Sequence, residues 1–222
     1  MLTVSNPGAL GFLPHRPQPP NPHITTQYPH TGKLPHAALL IGRGDEIAHL
    51  WSQGVETDAI FRIASMTKPV TSIALMQLVE QGRIALSEPV AKYIPEFAKL
   101  GVFVAGGGQI PFVTRPPTQA MRIIDLLRHT SGLTYGFQER SPVDAAQRKS
   151  GLENWRKMDD DSFIAELAKL PLEFDPGSCW NYSVSTDVLG VIVARVSGQS
   201  LGDYFAEHIF GPLGMTDTGF AV

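Results

Sequence analysis

The stretch Phe61-Arg-Ile-Ala-Ser-Met-Thr-Lys-Pro-Val-Thr71 decides how the rest of the chain is read, because it joins an extended segment to a strongly apolar helical pattern. After Pro69 the residues Val70, Ile73, Ala74, Met76, Leu78 and Val79 recur at helical spacing as far as Gly82, where glycine ends the pattern. Proline cannot donate to the carbonyl four residues back and its ring clashes there, so Pro69 belongs to the first turn. Ser65 therefore lies at or before the helix N-terminus. Residues three apart share a helix face, which brings the Lys68 ammonium within reach of the Ser65 hydroxyl. A serine becomes a nucleophile when a neighbouring base takes its proton, and a lysine serves as that base when burial and the helix dipole lower its pKa. Taken alone the tetrad is short, and a serine that merely caps the helix reads equally well.

Outward from this stretch the chain looks like strands first and helices afterwards. His36 to Ile41 and Ile47 to Trp51 flank the turn-rich Gly42-Arg-Gly-Asp-Glu46, which predicts a β-hairpin, and Ala59 to Ala64 reads as a third strand leading into Ser65. Residues 1–35 carry eight of the 18 prolines and, as charged side chains, Arg16 and Lys33 alone; they read as an extended, poorly ordered tail before a domain spanning 36–222. Beyond Gly82 come a proline-punctuated stretch to Phe97, a glycine-rich loop at Gly106-Gly-Gly108 and a helix through Ile123 to Leu127. Segment 138–161 is polar and reads as a surface loop with some helix. Asp159-Asp-Asp161 precedes the helical run Phe163 to Leu170, where carboxylates cap the N-terminus, a better reading than a metal site because no further ligand follows at the right spacing.

The 222 residues are 43% apolar and 18% charged with a net charge of -3, an ordinary globular composition. No basic bias points to nucleic acid, and no apolar run approaches the roughly 20 residues of a membrane-spanning helix. The start of the chain lacks the basic and apolar regions of a signal peptide, so a cytoplasmic location is the default expectation, and the single Cys179 cannot form an internal disulfide.

Four motifs, taken together, carry a family resemblance: Phe61 to Pro69, Asp125-Leu-Leu-Arg-His-Thr-Ser-Gly-Leu133, Pro176-Gly-Ser-Cys-Trp-Asn-Tyr-Ser183 and Pro212-Leu-Gly-Met-Thr-Asp-Thr218. In this order they resemble the serine β-lactamase and penicillin-binding superfamily, in particular class C β-lactamases and the related family VIII esterases. The resemblance implies an α+β fold, with a β-lactamase/transpeptidase-like antiparallel sheet flanked by helices, a helical subdomain, and the site between them. It implies Ser65 as the acylated nucleophile, with Lys68 and Tyr182 as its bases. Tyr182, with an ordinary pKa near ~10, acts as a base near neutrality when cations such as Lys68 favour its phenolate. Class C β-lactamases carry Tyr-x-Asn, whereas position 184 is Val, which cannot donate to a lactam side-chain amide. The implied activity is hydrolysis of small-molecule carboxylic esters without metal or cofactor, the alternatives being a β-lactamase or D-Ala-D-Ala peptidase and a non-catalytic fragment. Family members also continue past Pro-Leu-Gly-Met into strands bearing a Lys-Thr-Gly-type third motif, so those C-terminal strands are expected to be missing here.

Three other residues invite catalytic readings. Gly198-Gln-Ser-Leu-Gly202 matches the nucleophile elbow of α/β-hydrolases, but an elbow needs an acid and a histidine well downstream, so Ser200 reads as a cap for a helix near Asp203. His129 suits the C-terminal end of the Ile123 helix better than a Ser-His-Asp triad. Cys179 has no nearby histidine and reads as a small buried thiol.

Overall fold

The computed structural model describes residues 4–11, 34–152 and 158–220, in two compact units divided between Arg62 and Ile63. In the first unit, strands β1 (Ala37–Arg43) and β2 (Glu46–Gln53) pair antiparallel from Ala37 opposite Gln53 to Arg43 opposite Glu46. Gly44 turns the hairpin at φ +60°, which a glycine adopts without steric cost. The proline-rich tail is largely outside the described residues; within 4–11, Val4 forms a parallel bridge with Ile47, and the Ser5 N–H donates to the Ile47 carbonyl at 2.8 Å.

The strand expected over Ala59 to Ala64 does not form. Among the described residues that segment has no ladder partner, Ile60, Phe61 and Ile63 are exposed, and Ala64–Met66 closes a tight 3-10 turn instead. An apolar run becomes a strand when another strand satisfies its backbone, and none is paired with it here.

In the second unit the helix expected after Ser65 is α1 (Thr67–Glu80), with Pro69 in its first turn. Gln81 caps it, and Gly82 follows at φ +70°. Its inward face is Thr71, Ala74, Leu75 and Leu78, the i, i+3, i+4, i+7 positions of one stripe. Ala74, Leu75 and Leu78 of that stripe pack in one core with Ile123 and Leu126 of α2 (Ile123–Leu127), Ile164 and Leu167 of α4 (Asp160–Leu167), and Val188, Leu189 and Ile192 of α5 (Ser185–Ser197). Each fully buried leucine or isoleucine contributes about 1.5–3 kcal/mol by leaving water. Before α4, the polar 138–161 segment holds α3 (Pro142–Ser150), whose Ser141 cap accepts the Asp144 N–H while Asp144 accepts the Ser141 N–H at 2.9 Å.

The glycine-rich loop is the turn of a second hairpin, β3 (Val102–Gly107) with β4 (Ile110–Arg115), paired antiparallel. Val102 also bridges to Leu172, and the Leu172 N–H donates to the Gly101 carbonyl at 2.8 Å. This hairpin thereby fixes the segment that runs on to Tyr182. The last elements are α6 (Leu201–Phe205) and a π-helical turn over Ala206–Phe210. Among the described residues no helix is long and apolar enough to cross a membrane.

Candidate active site

Ser65 sits in the 3-10 turn that delivers the chain into α1, immediately ahead of the helix. The preceding Ala64 has φ +45°, a left-handed conformation that costs an L-residue roughly 1–2 kcal/mol. Strain of this kind concentrates where a backbone is forced to present a functional group. Lys68, in the first turn of α1, brings its Nζ to 3.5 Å from the Ser65 Oγ. The positive end of the α1 dipole also faces this point and favours negative charge developing on the oxygen.

Tyr182 arrives from a distant segment, and several hydrogen bonds aim it. The Asp175 carboxylate accepts the Thr118 N–H at 2.7 Å and the Arg115 guanidinium at 2.9 Å, which anchors the turn. Gly177 completes the turn at φ +84°, where any side chain would be strained, and a Cβ there would lie 2.5 Å from the Gln119 amide nitrogen and push that side chain aside. The Gly177 N–H donates to the Thr130 carbonyl at 2.7 Å. Asn181 is buried and donates from Nδ2 to the Leu133 carbonyl at 3.0 Å and to Glu173 at 2.8 Å, while Gln138 donates to the Tyr182 carbonyl. The result is a 2.6 Å hydrogen bond between the Tyr182 hydroxyl and the Ser65 Oγ across 117 residues of sequence. The structure thus brings together the three residues singled out from sequence, Ser65, Lys68 and Tyr182.

Burial by itself pushes the Tyr182 phenol up, but hydrogen bonds with Lys68 and Ser65 and the Lys68 charge together outweigh it and hold the phenol below its ordinary value. Lys68 lies 4.7 Å from the centre of the Tyr182 ring and 5.5 Å from that of Tyr135, between two aromatic faces. Tyr135 donates its hydroxyl to Asp187 at 2.9 Å. Burial raises the pKa of both, first by desolvation, and the Asp187 charge raises Tyr135 further. Tyr135 and Asp187 escaped the sequence reading, since they lie 52 residues apart and in sequence have no common signal; Tyr135 follows the Thr-Ser-Gly-Leu motif by two residues, the one hint of a site role.

Other expectations resolve locally. His129 follows α2 at φ +56°, as expected of a helix end, but its ring faces the tyrosine loop. Its Nδ1 lies 3.3 Å from both the Ser183 N–H nitrogen and the Ser183 hydroxyl, and its carbonyl accepts the Asn181 N–H at 2.8 Å. The Ser200 hydroxyl accepts the Asp203 N–H at 3.1 Å, and the Asp159 carboxylate accepts the Ser162 N–H at 2.7 Å, so both are caps. Cys179 is exposed rather than buried, because the loop before Tyr182 runs over the surface. Val184 is 4% exposed and packs in the core at the start of α5, so its side chain does not line the site. An open cleft of about 330 Å³ beside Tyr182 is walled by Phe137, Gln138, Arg140, Trp180 and Asn181. Phe137 and Trp180 give this cleft an aromatic surface beside the Tyr182 hydroxyl.

The family profile described as Beta-lactamase matches residues 23–222. Among curated relatives, the chain is 44% identical over 168 residues to Protein Rv1367c of Mycobacterium tuberculosis, covering 76% of this chain and 41% of that protein. It is 37% identical over 199 residues to Esterase EstB of Burkholderia gladioli, covering 85% of this chain and 47% of that one. It therefore spans less than half the length of each. Among solved structures, EstCE1, a hydrolase with promiscuous acyltransferase activity, superposes with a TM-score of 0.72 at 24% identity, over 90% of this chain and 52% of that chain. That likeness shows the α+β fold expected from the sequence.

Proposed function

We propose, on the premise that this chain belongs to the Beta-lactamase family, that it supplies the nucleophile and bases of a serine hydrolase that cleaves small-molecule carboxylic esters. The observation that carries the reading is the 2.6 Å contact between the Ser65 and Tyr182 hydroxyls, with Lys68 held beside both. The Tyr182 oxygen, nearer to Ser65 than the Lys68 nitrogen is, takes the serine proton as phenolate, and the Lys68 ammonium offsets the phenolate charge. The Ser65 Oγ–acyl bond forms, the ester C–O bond breaks, and the tyrosine proton passes to the departing alkoxide. Water then gives its proton to Tyr182 and attacks the acyl-enzyme, and Ser65 leaves reprotonated. None of these steps calls for a metal or cofactor. The esterase named among the relatives at 37% identity supports the choice of substrate class.

Esters are favoured over β-lactams by Val184, which is apolar and turned into the core where class C β-lactamases present a polar side chain to substrate. The substrate proposed is a small-molecule ester met in the cytoplasm, with neither nucleic acid nor membrane as partner. The test compares p-nitrophenyl butyrate with a chromogenic cephalosporin. Higher kcat/KM for the ester, abolished in Ser65→Ala, supports the reading; a cephalosporin preference, or ester turnover that survives Ser65→Ala, overturns it.

A further inference from the structure

His129 occupies a position at which its side chain is conformationally costly. The residue just past a helix C-terminus in left-handed conformation is commonly glycine, which pays no Cβ penalty. Here a histidine holds φ +56°, and its N–H still closes the helix end on the Leu126 carbonyl at 3.2 Å. The helix end would be served more cheaply by glycine, so capping alone does not account for an imidazole here. Its contacts with the tyrosine loop run from Trp180 to Ser183 and include Tyr182. The His129 carbonyl accepts the Asn181 N–H at 2.8 Å, Nδ1 faces the Ser183 N–H at 3.3 Å, and the ring lies 5.0 Å from the Tyr182 ring between them. The backbone N–H donor of Ser183 requires Nδ1 to be the acceptor, which places the imidazole proton on the other nitrogen. The Ser183 hydroxyl is itself tied to the Ser185 hydroxyl at 2.7 Å, and Ser185 to Ser131 at 2.7 Å, all three serines being fully buried. The grip on Tyr182 is thus braced from behind by a network that joins the His-Thr-Ser-Gly motif to the Tyr-Ser motif.

We propose that His129 is a positioning residue for Tyr182, its carbonyl and its neutral imidazole holding the residues on either side of the tyrosine so that the phenol meets Ser65. This rests on the reading of Tyr182 as the group that takes the serine proton. It also makes the neutral imidazole a requirement for activity. Protonation puts a hydrogen on Nδ1, which then opposes the Ser183 N–H, donor against donor. The groups around the ring are the Lys68 ammonium on α1, the Tyr182 and Trp180 rings at 5.0 and 6.3 Å, and the Ser183 hydroxyl. Burial first, and the Lys68 charge second, hold the imidazole below its ordinary value and so keep it neutral at physiological pH. The grip is present above the histidine's folded-state pKa and is lost as the pH falls through it.

The experiment uses His129→Ala, which removes the acceptor, and His129→Asn, whose Oδ1 stands near the place of Nδ1, which tolerates left-handed backbone and does not titrate. For p-nitrophenyl butyrate, His129→Ala is expected to lose at least tenfold in kcat with KM within about twofold, and His129→Asn to recover most of kcat. The wild-type profile should carry an acid limb that His129→Asn lacks. Amide hydrogen exchange at Ser183, read by NMR, is the second measurement and needs no turnover. It should quicken in His129→Ala and, beyond the intrinsic pH trend, in the wild type below the histidine pKa, and remain slow in His129→Asn. Wild-type kcat in His129→Ala, or His129→Asn as impaired as His129→Ala, overturns the assignment. So does a Ser183 amide indifferent to both variants and to acid. If Tyr182→Phe retains activity while Ser183 exchange responds as described, the tyrosine's role as base fails and the histidine grip stands.

Discussion

Tyr182→Phe removes one oxygen and leaves the ring with its neighbours, so the consequences for stability and for catalysis separate. In the folded ground state the lost contact is a single hydroxyl pair at 2.6 Å, and Ser65 is exposed enough for water to replace its partner. A neutral hydrogen bond of this kind contributes about 0.5–1.5 kcal/mol net, and solvent access keeps the loss at the low end. In the transition state the same oxygen receives a proton, and a positioned general base contributes roughly 10²–10⁴-fold. At 1.36 kcal/mol for each factor of ten, that is about 2.7–5.4 kcal/mol. Lys68, still 3.5 Å from Ser65, supplies residual assistance, so the loss should not reach that of removing the nucleophile. Steady-state hydrolysis of p-nitrophenyl butyrate, set beside urea unfolding, reads both quantities on one preparation. The expected result is a kcat at least one hundredfold lower, an almost unchanged KM and a stability within about 1 kcal/mol of wild type. A kcat within tenfold of wild type would refute the role of Tyr182 as base. An unfolding penalty that matches the catalytic loss would refute the separation.

Lys68→Ala should also abolish most turnover, and Lys68→Ala with Tyr182→Phe should be little worse than the more damaging single change, because the groups act as a unit; additive losses in kcat contradict that. Gly177→Ala, forced to φ +84° with its Cβ 2.5 Å from Gln119, should cost about 1 kcal/mol or more and lower kcat further than it raises KM, as judged by melting and kinetics together. Leu78→Ala, a fully buried truncation on α1, should cost about 2–5 kcal/mol in urea unfolding, whereas Ile73→Ala on the exposed face should cost far less. Acid should weaken the fold through Glu88 and Asp175. The hydrogen bond from Lys92 holds Glu88 at about 2, and that from Arg115 holds Asp175 well below the carboxylate range. Each therefore contributes stability that is complete above its unfolded-state pKa and is lost as pH falls toward the folded value. Thermal melts from pH 6 down to pH 2 should show this decline, and Asp175→Asn should flatten part of it.

Periodicity and punctuation made α1 legible: the apolar spacing after Pro69 set its face, and Gly82 set its end. The caps at Asp159 and Ser200 were equally readable, since capping is a local bargain between a side chain and an N–H three residues on. What sequence could not supply is the meeting of distant segments. The strand expected at Ala59 to Ala64 had the composition and lacked the partner, while β3 and β4 were hidden because their glycine-rich turn read as a loop. At the site, Ser65 and Lys68 are one helical turn apart and so were visible together, whereas Tyr182 came from the family resemblance alone. His129 was recognised for its backbone role at a helix end, and its side chain's role depends on a loop that returns 54 residues later. The inward turn of Val184 follows from its place at the head of α5, a tertiary fact no local pattern encodes.

The central claim is that Ser65 is the nucleophile, and covalent capture tests it most directly. The chain is incubated with a fluorophosphonate, digested, and its peptides are weighed and fragmented by mass spectrometry. The account predicts the phosphonate mass on Ser65, lost in Ser65→Ala and slowed in Lys68→Ala and Tyr182→Phe, with Ser200 unmodified because its hydroxyl is committed to capping α6. Label on Ser200, or on any residue in place of Ser65, would contradict it.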